Sequence, residues 1–111
     1  MSRMTRAERP VKSTEYQVVL ATREAELGWR DLKATQRNTL ADAWDYLTQH
    51  PLASTPTAHP LRGALGTIRR GGETHERWQY ELSGGARIWY FVVDRVVNIE
   101  QVHTHHPNET K

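Results

Sequence analysis

A chain of 111 residues, of which 37% are hydrophobic, is long enough for one globular domain and too short for two. The lack of cysteine excludes a disulfide framework and thiolate metal sites, and it fits the reducing cytoplasm, where we expect the protein to reside. No apolar run approaches the length of a membrane span, and the basic N-terminus lacks the apolar segment of a secretory signal, so no membrane partner is expected.

The net charge of +2 is unevenly distributed along the chain. Residues 1–12 carry four cations against one anion, which leaves the rest of the chain at −1. Twelve of the fifteen basic residues are arginine, whose planar guanidinium suits phosphate and carboxylate groups. A local phosphate-facing patch is therefore expected on a domain that is not basic overall.

The N-terminal part of the chain divides into an arm and the start of a domain. Residues 1–14 mix charged and small side chains without periodicity, which predicts a flexible basic arm, and residues 15–111 form the single domain. The β-branched run within residues 15–21 predicts a buried strand, after which Thr22 can cap a helix.

Two amphipathic helices are predicted next. The first has one apolar stripe with Gly28 as a weak point inside it, and the stripe consists of Ala25, Trp29 and Leu32. The second begins near Thr35 and ends at His50, because the residue before Pro51 avoids helical geometry. Residues 52–60 are rich in proline, serine and threonine and predict a loop.

The periodicity after this loop is that of strands. Four strands are predicted over residues 65–70, 77–82, 87–93 and 96–102, with turns at Gly71-Gly72, Ser83-Gly84-Gly85 and Asp94-Arg95. The element order β-α-α-β-β-β-β indicates an α+β fold of two layers, with the helix pair on one face of a mostly antiparallel, twisted sheet. The other sheet face is expected to stay partly open.

The open face is the predicted functional surface. A three-residue loop at Gly84 to Ala86 would set Leu82 opposite Ile88, Tyr80 opposite Tyr90 and Trp78 opposite Val92, with all six side chains in the core. The other face would then present Arg77, Gln79, Glu81, Arg87, Trp89 and Phe91. Guanidinium groups can hold the phosphates of RNA while aromatic rings stack on its bases. For Arg77 and Glu81 taken singly, we favour cross-strand ion pairs on an exposed face.

Three of the six histidines fall within four positions of the tail, at His103, His105 and His106. Imidazole exchanges protons near neutral pH, which suits acid–base chemistry on a phosphodiester. The alternatives are a solvated tail or a chance metal chelate, and no carboxylate or thiolate stands at supporting spacing, so no metal or cofactor is predicted. His50, His59 and His75 are interpreted as surface histidines. A three-residue turn after Val93 would place His103 on the Arg87 face, whereas a two-residue turn would place it on the helix side.

Several segments together resemble the RelE/ParE superfamily of small bacterial toxins. The resemblance covers about residues 15–109 and rests on the first strand ending in Ala-Thr-Arg-Glu-Ala-Glu, the helix pair ending at Gln49-His50-Pro51, the element His59-Pro60-Leu61-Arg62-Gly63, and the strand Arg87-Ile88-Trp89-Tyr90-Phe91-Val92-Val93. In RelE-like members the strand that begins Arg-x-x-Tyr carries an arginine at the cleavage site, and Arg87 is the matching position.

The resemblance implies a ribosome-dependent endoribonuclease that cuts mRNA in the decoding site and is neutralised by a cognate antitoxin. Arg87 would stabilise the transition-state phosphate, Glu81 or His103 would act as base, and His105 or His106 as acid. RNA would be held by Arg62, Arg77, Gln79 and Trp89. The chain lacks the lysines that some RelE-type enzymes carry in the strand around residues 77–81, and its tail has histidines where theirs has Arg and Tyr. Two alternatives remain, which are a ParE-like inhibitor of DNA gyrase and a non-toxic binding module on the same scaffold.

Overall fold

The protein folds as one strand, two helices and then six further strands, in a computed structural model that describes residues 4–5 and 7–105. The helices are α1 (Arg23–Thr35) and α2 (Arg37–Gln49). The strands are β1 (Gln17–Leu20), β2 (Ala58–Pro60), β3 (Thr67–Arg70), β4 (Glu73–Glu76), β5 (Trp78–Glu81), β6 (Arg87–Val93) and β7 (Val96–His103). The α+β class with an N-terminal helix pair is confirmed.

The ends of the helices follow from local chemistry that the sequence displays. The Thr22 hydroxyl accepts a hydrogen bond from the Ala25 N–H at 3.0 Å, which caps α1 as predicted. The end of α2 at His50 is also confirmed, because its N–H bonds back to the Tyr46 carbonyl before Pro51 breaks the helical pattern. The helix pair therefore forms where the apolar stripes and caps indicate.

Five strands form one sheet in the order β1-β7-β6-β5-β2, in which β1 runs parallel to β7 and the other pairs are antiparallel. Strand β2 lies within the segment that was predicted to be a loop. Its three residues pair with β5 from Ala58↔Tyr80 to Pro60↔Trp78. Proline is tolerated there because β2 is an edge strand of the sheet.

The helices cover one face of this sheet. The shared core contains Leu32 and Leu47 from the helices and, from the strands, Ile88, Tyr90 and Ile99. Helix α1 lies very close to β7 at Gly28, where an added Cβ would come within 2.5 Å of the Val102 carbonyl oxygen. The predicted weak point in α1 is thus a site of close backbone approach.

The opposite sheet face is partly covered, so the expectation of an open face is wrong at its centre. Strands β3 and β4 form a separate two-stranded hairpin, and β4 packs against β6. The His75 ring stacks on Phe91 with centroids 4.9 Å apart. Phe91 is 6% exposed and Trp89 is 1% exposed. Strand β4 reads Glu-Thr-His-Glu, a polar pattern that carries little strand signal, so no local feature predicts that the hairpin folds back on the sheet.

The predicted pairing of β5 with β6 is wrong by two positions. Trp78 lies opposite Tyr90, not Val92, because the loop consists of Ser83–Gly85 and not of Gly84 to Ala86. Both loop glycines have positive φ, 68° and 81°, which favours glycine over other residues there. A shift of two residues keeps each side chain on its predicted face.

The described part of the N-terminal arm contacts the domain. Arg9 forms an ion pair with Glu15 at 2.8 Å. Residues 8–11 line a groove of about 600 Å³ together with side chains of both helices, among them Trp29 and Trp44. The flexibility of residues 1–14 stays a prediction. Within the described residues, neither helix has the length and apolar character needed to cross a bilayer.

Candidate functional site

Three of the predicted catalytic residues form a row across adjacent strands. Glu81 of β5 lies directly opposite Arg87 of β6, and Arg87 lies directly opposite His103 of β7. Successive side chains of a strand point to opposite faces, and Ile88 faces the helices, so this row lies on the face away from them. The structure therefore brings Glu81, Arg87 and His103 together, as the functional interpretation requires.

A β-bulge places His103 in this row. The turn between β6 and β7 has two residues, Asp94 and Arg95, both with positive φ (49° and 63°). Such a turn alone would put His103 on the helix side. In β7, however, Glu100 is an extra residue between the pairs Trp89↔Gln101 and Tyr90↔Ile99, and it reverses the orientation of the residues after it. Neither of the two predicted turn outcomes included this bulge.

The charges in the row are paired but accessible on one side. Arg87 Nη1 lies 3.3 Å from Glu81 Oε2, with side-chain exposures of 12% for Arg87 and 37% for Glu81. The guanidinium is thus held at the middle of the row while the carboxylate stays open to solvent. A fixed cation flanked by proton-exchanging groups is an arrangement that can bind and act on a phosphodiester.

A fourth member of the site, His59, was interpreted from the sequence as a surface histidine. It lies on β2, and its Nε2 is 3.9 Å from Glu81 Oε1. Its Nδ1 is 3.0 Å from the Pro60 carbonyl oxygen. The sequence carries no signal for this placement, because the pairing of β2 with β5 arises in a proline-rich segment without strand periodicity.

Two residues predicted to bind RNA are buried beside this row. Gln79 is 4% exposed and Trp89 is 1% exposed, and the Trp89 indole N–H donates to Gln79 Oε1 at 2.9 Å. The Trp89 ring also meets the His103 ring edge-on, with centroids 4.6 Å apart. The prediction that these side chains are exposed is wrong: they lie beside the row on the same sheet face, where they are buried and cannot stack on a base.

Arg77 is engaged in a buried ion pair. Its Nε lies 2.6 Å from Glu100 Oε1, although the N–H is not aligned for a hydrogen bond. The central carbon of its guanidinium lies over the Trp89 ring, 5.2 Å from the ring centroid. Arg70 of β3 reaches the other oxygen of Glu100 at 3.5 Å. Burial raises the pKa of Glu100, and the two arginines oppose that rise. The expected ion pair of Arg77 therefore exists, but its partner is the bulge residue and it fastens the β3–β4 hairpin.

The remaining predicted residues lie outside this row. Arg62 is exposed just after β2. His105 is exposed beyond the end of β7 and contacts its neighbour Thr104. His106 lies outside the described residues. Among residues 4–5 and 7–105, no three His, Asp or Glu side chains gather in a metal-binding arrangement.

Comparison with protein-family models, with curated proteins and with solved structures finds no match to this chain. The fold and the row of side chains are therefore the basis for a functional proposal.

Proposed function

We propose that this protein is a RelE-like toxin of a toxin–antitoxin system, a cytoplasmic endoribonuclease that cuts mRNA at the ribosomal decoding site. The observation that carries the proposal is the row Glu81–Arg87–His103 on three neighbouring strands. The resemblance of the chain to RelE-like toxins supplies the ribosome, the message and the neutralising antitoxin as partners.

The spacing of the row suits an in-line displacement. Directly paired residues of antiparallel strands are about 5 Å apart, so the backbones of Glu81 and His103 are separated by about 10 Å with Arg87 between them. A phosphate above Arg87 would have one flanking residue on the side of the attacking oxygen and the other on the side of the leaving oxygen. The guanidinium would stabilise the extra negative charge of the phosphorane.

The reaction assigns one role to each end of the row. On the Glu81 side, the ribose 2′-hydroxyl loses its proton, and its oxygen forms a bond to phosphorus. The bond from phosphorus to the 5′-oxygen breaks, and His103, predicted from the sequence as a candidate base, donates a proton to that oxygen in place of His105, which lies outside the row. The products are a 2′,3′-cyclic phosphate and a 5′-hydroxyl. Within the row, Glu81 is the residue that can accept the first proton.

The burial of Trp89 changes how the RNA would be held. Base stacking on that ring is not part of the proposal, because the ring is 1% exposed. Arg62 remains exposed at the end of β2 and can contact a neighbouring phosphate. The ribosome would present the message to the row, in keeping with the ribosome dependence that the resemblance implies.

The test is cleavage of a defined message on purified ribosomes by the wild-type protein and by Arg87→Ala. We expect the substitution to lower the cleavage rate at least about 100-fold, the order of effect of removing one transition-state donor. Arg30→Ala, which removes an exposed guanidinium from the helical layer, is the matched control and should cleave normally. Intact RNA together with trapped gyrase–DNA complexes would instead support the ParE-like alternative.

A further inference from the structure

The histidine on edge strand β2 is held in a way that suits proton transfer. A carbonyl oxygen only accepts hydrogen bonds, so the contact of His59 Nδ1 with the Pro60 carbonyl assigns the ring proton of the neutral imidazole to Nδ1. The lone pair then lies on Nε2, the atom that faces Glu81. Such a contact also fixes the orientation of the ring, as in histidines that act as bases.

The gap between His59 and Glu81 is open to a substrate. Their side chains are 39% and 37% exposed, compared with 12% for Arg87. Nε2 and Oε1 are 3.9 Å apart, so a hydroxyl oxygen can lie about 2.8 Å from both atoms and donate its one proton to either of them. The two residues therefore form a cleft that is suited to one hydroxyl group.

The two oxygens of Glu81 have different neighbours. Oε2 faces the guanidinium of Arg87 and Oε1 faces the imidazole of His59. The guanidinium of Arg87 is the partner of Oε2, whereas Nε2 of His59 carries a lone pair that faces the gap and can accept a proton. The imidazole is therefore the better final acceptor for a proton that leaves a hydroxyl in this cleft, and Glu81 can stabilise the imidazolium that results.

We propose that His59 is a catalytic residue of this site and receives on Nε2 the proton of the ribose 2′-hydroxyl. This inference rests on the proposed endoribonuclease function. As that proton moves to His59, the 2′-oxygen bonds to phosphorus, the bond to the 5′-oxygen breaks, and the 5′-oxygen takes its proton from His103. Glu81, whose Oε1 lies 3.9 Å from Nε2, stabilises the charged imidazole.

Three variants separate this role from a structural one. His59→Gln keeps a polar group facing Glu81 but cannot take up a proton. His59→Asn keeps an amide that can donate to the Pro60 carbonyl but lacks a group at the position of Nε2. His50→Gln, at the exposed end of α2, is the matched control. We expect both His59 variants to lose about 100-fold or more in single-turnover cleavage on ribosomes, with unchanged thermal unfolding, and the control to keep the wild-type rate.

A message with sulfur in place of the scissile 5′-oxygen distinguishes the residue that protonates the leaving group from the residue that accepts the 2′-hydroxyl proton. A thiolate leaves without protonation, because thiols are far more acidic than alcohols. His103→Gln should therefore regain most of its lost rate on this substrate, and His59→Gln should not. Recovery of His59→Gln on the sulfur substrate, or a wild-type rate of His59→Gln on ordinary RNA, would overturn the inference while leaving the proposed function intact. A wild-type protein that cleaves neither substrate would overturn the proposed function itself.

Discussion

Because α1 lies close to β7, we expect Gly28→Ala to destabilise the protein. Helix propensity alone predicts the opposite. In an exposed helix interior this substitution stabilises by about 1 kcal/mol. Here the added Cβ would lie 2.5 Å from the Val102 carbonyl oxygen and 2.7 Å from the Val102 Cβ. Neither atom can move by side-chain rotation, because both are fixed to the backbone of a strand residue that is paired with Ile88 of β6.

Overpacking costs about 1–3 kcal/mol, and a clash with atoms that only strand movement can relieve belongs to the upper part of that range, about 2–3 kcal/mol. After the propensity gain is subtracted, we expect a net loss of about 1–2 kcal/mol in the free energy of unfolding. The melting temperature should fall on the order of 5–10 °C.

Urea and thermal unfolding measure this change directly. Leu27→Ala is the control, since its side chain is 45% exposed on the same helix and its loss should alter stability by less than about 0.5 kcal/mol. A Gly28→Ala protein as stable as the wild type, or more stable, would refute the close contact between α1 and β7.

Three further predictions concern the arm, the cap and the buried charges. Hydrogen bonds from Arg9 and from a backbone N–H lower the pKa of Glu15 to about 2, so Arg9→Ala should raise that pKa in an NMR titration. Because the folded-state pKa is depressed, stabilisation by this carboxylate should be present above pH 4.5 and be lost as the pH falls towards 2. Thr22→Ala should cost about 1 kcal/mol in urea unfolding through loss of the α1 cap, whereas Thr22→Ser should be nearly neutral. Arg77→Ala should cost about 3 kcal/mol, because it leaves the buried carboxylate of the β7 bulge with one partner fewer, while Arg70→Ala, at 53% exposure, should cost less than about 1 kcal/mol. Equal losses for the two arginine variants would contradict the buried pair.

Local signals in the sequence were sufficient for the helices and for the faces of the central strands. The cap at Thr22 and the break at Pro51 depend on neighbouring residues alone. The alternation in β5 and β6 assigned Glu81 and Arg87 correctly to one face, even though the pairing was wrong by two positions. A shift of two residues in the pairing keeps every side chain on its own face of the strand. The predicted faces are therefore correct, although the predicted cross-strand partners are wrong.

The parts that were missed depend on contacts between distant segments. The β3–β4 hairpin folds over Trp89, and no local pattern indicates where a short polar hairpin will pack. The bulge at Glu100 is stabilised by arginines 23 and 30 positions earlier in the chain, and it decides the orientation of His103. His59 joins the site only because edge strand β2 pairs with β5. Each of these features needs the tertiary structure, because its partner is far away in sequence.

The chemistry of the RNA ends tests the proposed cleavage most directly. Ribosomes carrying a 3′-labelled and 5′-labelled message are incubated with the wild-type protein, and the new ends are identified by their response to phosphatase and kinase. A row that activates the ribose 2′-hydroxyl must leave a 2′,3′-cyclic phosphate and a 5′-hydroxyl at the new ends. The Arg87→Ala variant should form little of either product. A 5′-phosphate at the new end, or a message that stays whole, would contradict the assigned roles of Glu81, Arg87 and His103.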